Sequence, residues 1–74
     1  MAFFRVNHEG FRRIKQQGLA KSDRAIAKMF QVDPATMHRV LNGKTEPTGR
    51  VVAGAMAALG PAWVGILFDL VDEQ

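Results

Sequence analysis

The chain has 74 residues, of which 47% are hydrophobic, and a formal net charge of +3. This length supports one modest core, which excludes multi-step catalytic architectures and predicts a single domain over residues 1–74. No Cys is present, so neither disulfides nor a thiolate metal site can reinforce that core. No apolar run approaches the roughly 20 residues of a membrane-spanning helix, and the first six residues are too short for a signal peptide. We therefore expect a soluble protein with no membrane partner.

The charges are distributed unevenly along the chain. All ten Lys and Arg residues lie at or before Arg50, together with four acidic residues, which gives that portion a net charge of +6. Residues 51–74 contain three acidic residues and no basic one. A concentrated positive portion is expected of a protein that binds a polyanion, because neutralised phosphates release their counterions. A solvated helix surface is the alternative interpretation.

The first two predicted helices begin at capping residues. Asn7 is suited to cap a helix that runs to about Gln17, and Gly18 is placed to end it in a left-handed conformation. Ser22 is the next capping residue. It opens a helix over about Asp23–Phe30, in which apolar residues recur at the three-to-four-residue period of one buried face.

A third helix is predicted over about Pro34–Leu41. The Asp33 carboxylate can accept hydrogen bonds from free N–H groups, and Pro at the first helical position gives up only an unpaired donor. Asn42-Gly43 ends this helix because both residue types tolerate positive φ.

The remainder of the chain predicts two more helices and no clear strand. The fourth spans about Thr48–Leu59, and its many small residues indicate a central helix that neighbours approach closely. After the break at Gly60-Pro61, a fifth helix is expected within residues 61–72. Residues 3–6 are interpreted as a short extended arm or strand. The predicted fold class is thus all-α, a compact bundle of about five short helices.

The second and third helices carry the most specific pattern. Two short helices separated only by residues 31–33 can hold the second one out for insertion into a groove. With Asp23 as position 1, apolar packing residues fall at positions 4, 5, 8, 10, 15 and 18, namely Ile26, Ala27, Phe30, Val32, Met37 and Val40. Ala27 is expected to be small because the helices cross there.

In this region the chain resembles the XRE family of helix-turn-helix regulators, which includes the repressors and Cro proteins of lambdoid phages. Residues 21–67 align without a gap, and the matching residues are Ile26-Ala27, Val32, Thr36-Met37, Arg39-Val40, Gly43-Lys44, Pro47 and Leu59-Gly60. The resemblance implies a lambda-repressor-like DNA-binding domain with a helix-turn-helix over residues 22–42. It also implies a transcriptional regulator, a repressor of the Cro or immunity type, that acts on the nucleoid in the bacterial cytoplasm and is encoded by a phage or plasmid.

The chain departs from the family pattern at two positions. Gln31 stands where the family commonly has Gly, and a left-handed turn there would cost on the order of 1 kcal/mol. Asp23 stands where the family often has Gln near DNA phosphates, so we expect Asp23 to act as a helix cap instead.

The third helix is predicted to read the major groove of double-stranded DNA. If Met37, Val40 and Leu41 face the core, the turn of about 100° per residue directs the opposite side outward. The predicted base contacts are Pro34, Ala35, Thr36, His38 and Arg39. Arg39 is the leading reader because a guanidinium can bond guanine O6 and N7 together, with a plain phosphate contact as its alternative. The predicted phosphate contacts are Ser22, Arg24, Asn42, Lys44, Thr45 and Arg50.

The C-terminal segment has more apolar area than one buried face needs. Val64, Phe68, Leu70 and Val71 form a possible dimer surface. Either Phe3 and Phe4 cover this surface, or a second subunit does. A homodimer would present two recognition helices roughly 34 Å apart to a pseudo-palindromic site, and a monomer on an asymmetric site is the alternative.

Other function classes fit the sequence poorly. An enzyme is not expected, because the single Ser is a predicted cap, Cys and Tyr are absent, and His8 and His38 are not at metal-ligand spacing. No cofactor and no small-molecule ligand is expected. A membrane anchor is disfavoured because residues 62–71 contain no Lys or Arg. A protein-interaction module, such as an antitoxin or antirepressor, remains the alternative, and salt-dependent duplex binding would distinguish the two.

Overall fold

The computed structural model describes residues 1–72, which form five helices and a two-stranded sheet. The helices are α1 His8–Gln16, α2 Asp23–Phe30, α3 Pro34–Leu41, α4 Gly49–Leu59 and α5 Pro61–Leu67, and the strands are β1 Ala2–Val6 and β2 Phe68–Asp72. The first four helices match the predicted ones within one residue at each end. Residues 73 and 74 of the predicted domain lie outside the described residues.

The prediction of an all-α fold is wrong at the two ends of the chain. The fifth helix ends at Leu67 and does not continue through residue 72, and the backbone at Phe68 is extended, with φ −130° and ψ 133°. β2 then pairs with β1 in an antiparallel register that runs from Ala2 opposite Asp72 to Val6 opposite Phe68. Pairing satisfies the backbone groups of both segments, which is why residues 68–72 are extended. The segment at residues 3–6 is accordingly a strand.

The ribbon formed by β1 and β2 covers the core at one end. Phe68 is 3% exposed, and its ring meets those of Phe4 and Phe11 edge-on at centroid distances of 6.2 and 5.8 Å. Phe68 is therefore buried within its own chain and does not belong to the predicted dimer surface. Of the other three residues predicted there, Leu70 is 66% exposed, whereas Val64 and Val71 are half-buried.

The core lies among the helices and contains no buried polar side chain within the described residues. It is built from residues of β1, all five helices, the connecting turns and β2: Val6, Phe11, Ile14, Ala20, Ile26, Ala27, Phe30, Val32, Met37, Val40, Leu41, Val51, Ala55, Leu67 and Phe68. None of the helices in residues 1–72 combines the length and hydrophobicity that crossing a membrane requires.

Two glycines allow helices to approach closely. A Cβ atom at Gly54 of α4 would lie 2.2 Å from the carbonyl oxygen of Phe30 at the end of α2, and one at Gly10 of α1 would lie 2.2 Å from that of Ile66 in α5. The close packing expected of the fourth helix is confirmed at Gly54. This contact fixes α2 against α4 and so supports the position from which α3 extends.

Candidate nucleic-acid interface

The packing predicted between α2 and α3 is confirmed. All six residues of the spaced apolar pattern are buried, with exposures between 0 and 5%. Ala27 is fully buried, and its carbonyl oxygen accepts a hydrogen bond from the backbone N–H of Val32 at 2.9 Å. That bond closes the turn between the two helices. α3 is thereby held against α2 by its apolar side, which leaves its polar side free.

The turn itself depends on a residue in a left-handed conformation. Gln31 follows α2 with φ 58° and ψ 40°, and among residues 1–72 it is the only residue other than Gly with positive φ. The left-handed conformation that the sequence predicted for this position is therefore present, and Gln31 carries the expected backbone strain. The side chain of Gln31 is exposed.

The start of α3 is fixed by Asp33 and Pro34. One carboxylate oxygen of Asp33 accepts hydrogen bonds from the backbone N–H groups of Ala35 and Thr36, at 3.0 and 3.2 Å. Pro34 occupies the first helical position. The capping prediction is confirmed, and these two N–H groups are already used within the chain.

The outward side of α3 carries the predicted base-contacting residues. Pro34, Ala35, His38 and Arg39 are exposed and Thr36 is half-buried, whereas Met37 and Val40 are almost completely buried. The structure therefore brings all five predicted residues to one accessible helix face.

The polar groups on this face are partly tied to one another. One guanidinium nitrogen of Arg39 donates to the Thr36 hydroxyl at 3.3 Å, which leaves the remaining guanidinium donors available. The Asn42 amide donates to the His38 carbonyl oxygen at 2.7 Å and lies 3.3 Å from the nearer His38 ring nitrogen. Asn42 thus uses its amide nitrogen to close the end of α3, and its amide oxygen cannot donate a hydrogen bond to a phosphate.

A second group of predicted residues lies at the start of α2. The Ser22 hydroxyl oxygen accepts from the Ala25 N–H at 3.1 Å, which confirms Ser22 as the cap. Ser22 and Arg24 line a cleft of about 490 Å³ together with Lys28 and Pro34. The cleft therefore lies between the start of α2 and the start of α3. A phosphate contact beside a helix in the major groove would require this position.

Asp23 does not act as the expected cap. Its carboxylate forms an ion pair with Lys15 of α1 at 2.8 Å. The negative charge beside Arg24 is therefore offset by a cation from another helix. This pair could not be predicted from local sequence, because the two residues meet only once α1 packs beside α2.

A third group lies beyond the end of α3. Lys44 and Thr45 line a cleft of about 520 Å³ whose opposite wall includes Arg5 and His8, which the sequence analysis did not select. Arg50 is exposed in the first turn of α4.

Comparisons with models of known protein families, with curated proteins and with solved structures return no match for this chain. The resemblance to the XRE family consequently depends on the aligned residues alone.

Proposed function

We propose that the chain binds double-stranded DNA through a helix-turn-helix formed by α2, the turn at residues 31–33 and α3, with α3 in the major groove. The observation that carries this proposal is the division of α3 into two sides. One side is buried against α2, and the other presents Arg39, His38 and Thr36 between basic residues at both helix ends. A helix in that setting can meet base edges while cations on either side hold the phosphates.

More particularly, the aligned residues favour a transcriptional regulator of the XRE family, of the repressor or Cro type. Such a protein would act on the nucleoid in the bacterial cytoplasm. The aligned residues alone support membership of the XRE family, whereas the geometry of α2 and α3 supports DNA binding.

Selection of bound sequences from a random duplex pool tests the proposal. We expect a defined motif to be enriched, with an affinity that falls as salt rises. If Arg24, Lys44 and Arg50 each neutralise one phosphate, log K against log salt has a slope of about −3. Failure to bind any duplex at low salt, together with tight binding to another protein, would overturn the proposal in favour of a protein-interaction module.

A matched pair of substitutions separates base reading from phosphate binding. Arg39→Ala should remove preference at one or two base positions, a loss of about 1–3 kcal/mol in discrimination. Lys44→Ala should weaken binding to all sequences alike and reduce the salt slope by about 1. Identical effects of the two substitutions on the selected motif would show that α3 does not present Arg39 to the bases.

A further inference from the structure

The cleft between β1 and the α3–α4 loop brings together polar and charged side chains that are distant in sequence. Arg5 in β1 and His8 at the start of α1 form one wall, and Lys44 and Thr45 form the other. Val40 of α3 also lines the cleft. The cleft is therefore continuous with the last turn of the helix proposed to read DNA.

Arg5 and Lys44, the Arg and the Lys of this cleft, form no ion pair with a carboxylate of residues 1–72. Asp69 lies opposite Arg5 in the strand register, but hydrogen bonds at 3.3 and 3.4 Å link its two carboxylate oxygens to the Asn7 amide. The Arg5 guanidinium lies 5.8 Å from the centre of the Phe3 ring. An aromatic ring restrains a guanidinium without using its hydrogen-bond donors, so those donors remain free for an anion.

We propose that this cleft holds the sugar-phosphate backbone of duplex DNA, with Arg5 and Lys44 binding phosphates from its two walls. The inference rests on the proposed function and extends the DNA-binding surface to β1 and the start of α1. One strand of a duplex presents a phosphate about every 3.4 Å along the axis, so a strand that passes the end of α3 can offer a phosphate to each wall.

His8 also lines a smaller cleft, together with Arg12, Lys15, Asp23 and Leu41. The two cations of this cleft are ion-paired, Arg12 with Glu9 at 2.9 Å and Lys15 with Asp23 at 2.8 Å. The proposed phosphate contacts are therefore assigned to Arg5 and Lys44 of the larger cleft.

Glu46 is an acidic residue in the lining of the larger cleft, and it provides a reciprocal test. If a phosphate enters, the Glu46 carboxylate repels it. Removal of the Arg5 charge should therefore weaken DNA binding, and removal of the Glu46 charge should strengthen it. A merely structural role for either exposed side chain would not produce opposite signs.

The experiment is a salt titration of the full chain with a mixed-sequence duplex of about 20 base pairs, two helical turns, followed by fluorescence anisotropy. Arg5→Gln should weaken binding severalfold at low salt and reduce the magnitude of the salt slope by about 0.9. Glu46→Gln should tighten binding under the same conditions. Arg13→Gln is the matched control, because Arg13 is exposed on α1 and is outside the cleft lining. Circular dichroism and thermal melting establish that each variant is folded.

The outcomes separate this inference from the proposed function. Salt-dependent binding by the unmodified chain that Arg5→Gln and Arg13→Gln reduce equally, or not at all, would overturn the cleft proposal and leave the function of α3 intact. The absence of duplex binding by the unmodified chain would overturn both. Binding of inorganic phosphate at Arg5 and Lys44, observed by NMR shifts without any binding of the duplex, would assign the cleft to a free anion and contradict the proposal.

Discussion

At the scale of single residues, Gln31 holds the turn between α2 and α3 in a conformation that side chains rarely adopt. Its φ of 58° is left-handed, and a residue with a Cβ atom is disfavoured there by on the order of 1 kcal/mol relative to Gly. Natural sequences tolerate such strain where the surrounding packing fixes the turn. Here the buried side chain of Val32 and its backbone hydrogen bond to Ala27 supply that packing.

Gln31→Gly should raise the free energy of unfolding by at most about 0.5 kcal/mol, because the strain that it removes is partly offset by the larger conformational entropy of Gly in the unfolded chain. Chemical denaturation measures the change. Arg13→Gly is the control: Arg13 is exposed in the interior of α1, where Gly is unfavourable, so stability should fall. A loss of stability in both variants would show that the side chain of Gln31 is needed in the turn.

Much of α3 could be predicted residue by residue. Asp33, Pro34 and the alternation of apolar and polar positions are local signals, and they determine which side of the helix is exposed. The Lys15–Asp23 ion pair and the wall formed by Arg5 and His8 could not be predicted in this way. Those contacts exist only after elements far apart in sequence have packed together.

At the scale of elements, the position of α2 depends on its contact with α4. Gly54→Ala places a methyl group against the Phe30 carbonyl, where an added Cβ would lie only 2.2 Å away. The two helices must separate, and overpacking of this kind typically costs 1–3 kcal/mol. We expect a lower midpoint of thermal unfolding for this variant.

Gly49→Ala is the control in the same helix. A Cβ at Gly49 meets nothing within 4 Å, so stability should stay the same or rise by a few tenths of a kcal/mol, as Ala replaces Gly in a helix. Equal destabilisation by the two substitutions would show that the close approach of Gly54 to Phe30 is not the cause of the loss, because Gly49 has no such neighbour.

The helices and the strands differ in how far local sequence determines them. Each of the first four helices has its own cap and its own apolar period, so the prediction needed no knowledge of distant residues. β1 and β2 stabilise each other across the whole chain. The alternating Phe68, Asp69 and Leu70 indicate a strand only when a partner is known, and without one they resemble the continuation of an apolar helix.

At the scale of the whole molecule, the ribbon formed by β1 and β2 determines which apolar side chains stay exposed for contact with a second subunit. Phe4 and Leu70 face each other across the strands, yet Phe4 is half-buried against Phe68, whereas Leu70 is 66% exposed. Phe4→Ala should therefore lower the free energy of unfolding by roughly 2–3 kcal/mol, less than full burial of a Phe would imply. Denaturant titration measures this loss.

Leu70→Lys is the counterpart on the other strand, and it should leave stability nearly unchanged. It also tests the homodimer predicted from the sequence, whose surface no longer includes Phe68. Leu70 and Val71 are consecutive in β2 and so lie on opposite faces of the ribbon, and Leu70 is the one of the two that is exposed. If two chains associate through this surface, sedimentation should show a dimer for the unmodified chain and a monomer for Leu70→Lys. If both proteins sediment as monomers, the homodimer is contradicted. The alternative is then that one chain binds an asymmetric DNA site.

The ribbon also has a consequence for the order of folding. Its paired residues are separated by 62 to 70 positions, so closing it costs more chain entropy than forming any of the helices, whose contacts are local. We expect the strands to join late during folding and their amides to exchange with solvent sooner than those of α2 and α3. The wall that carries Arg5 would then open and close while α3 stays folded, so a phosphate bound at Arg5 in the proposed complex would be released without unfolding of the helix proposed to read the bases.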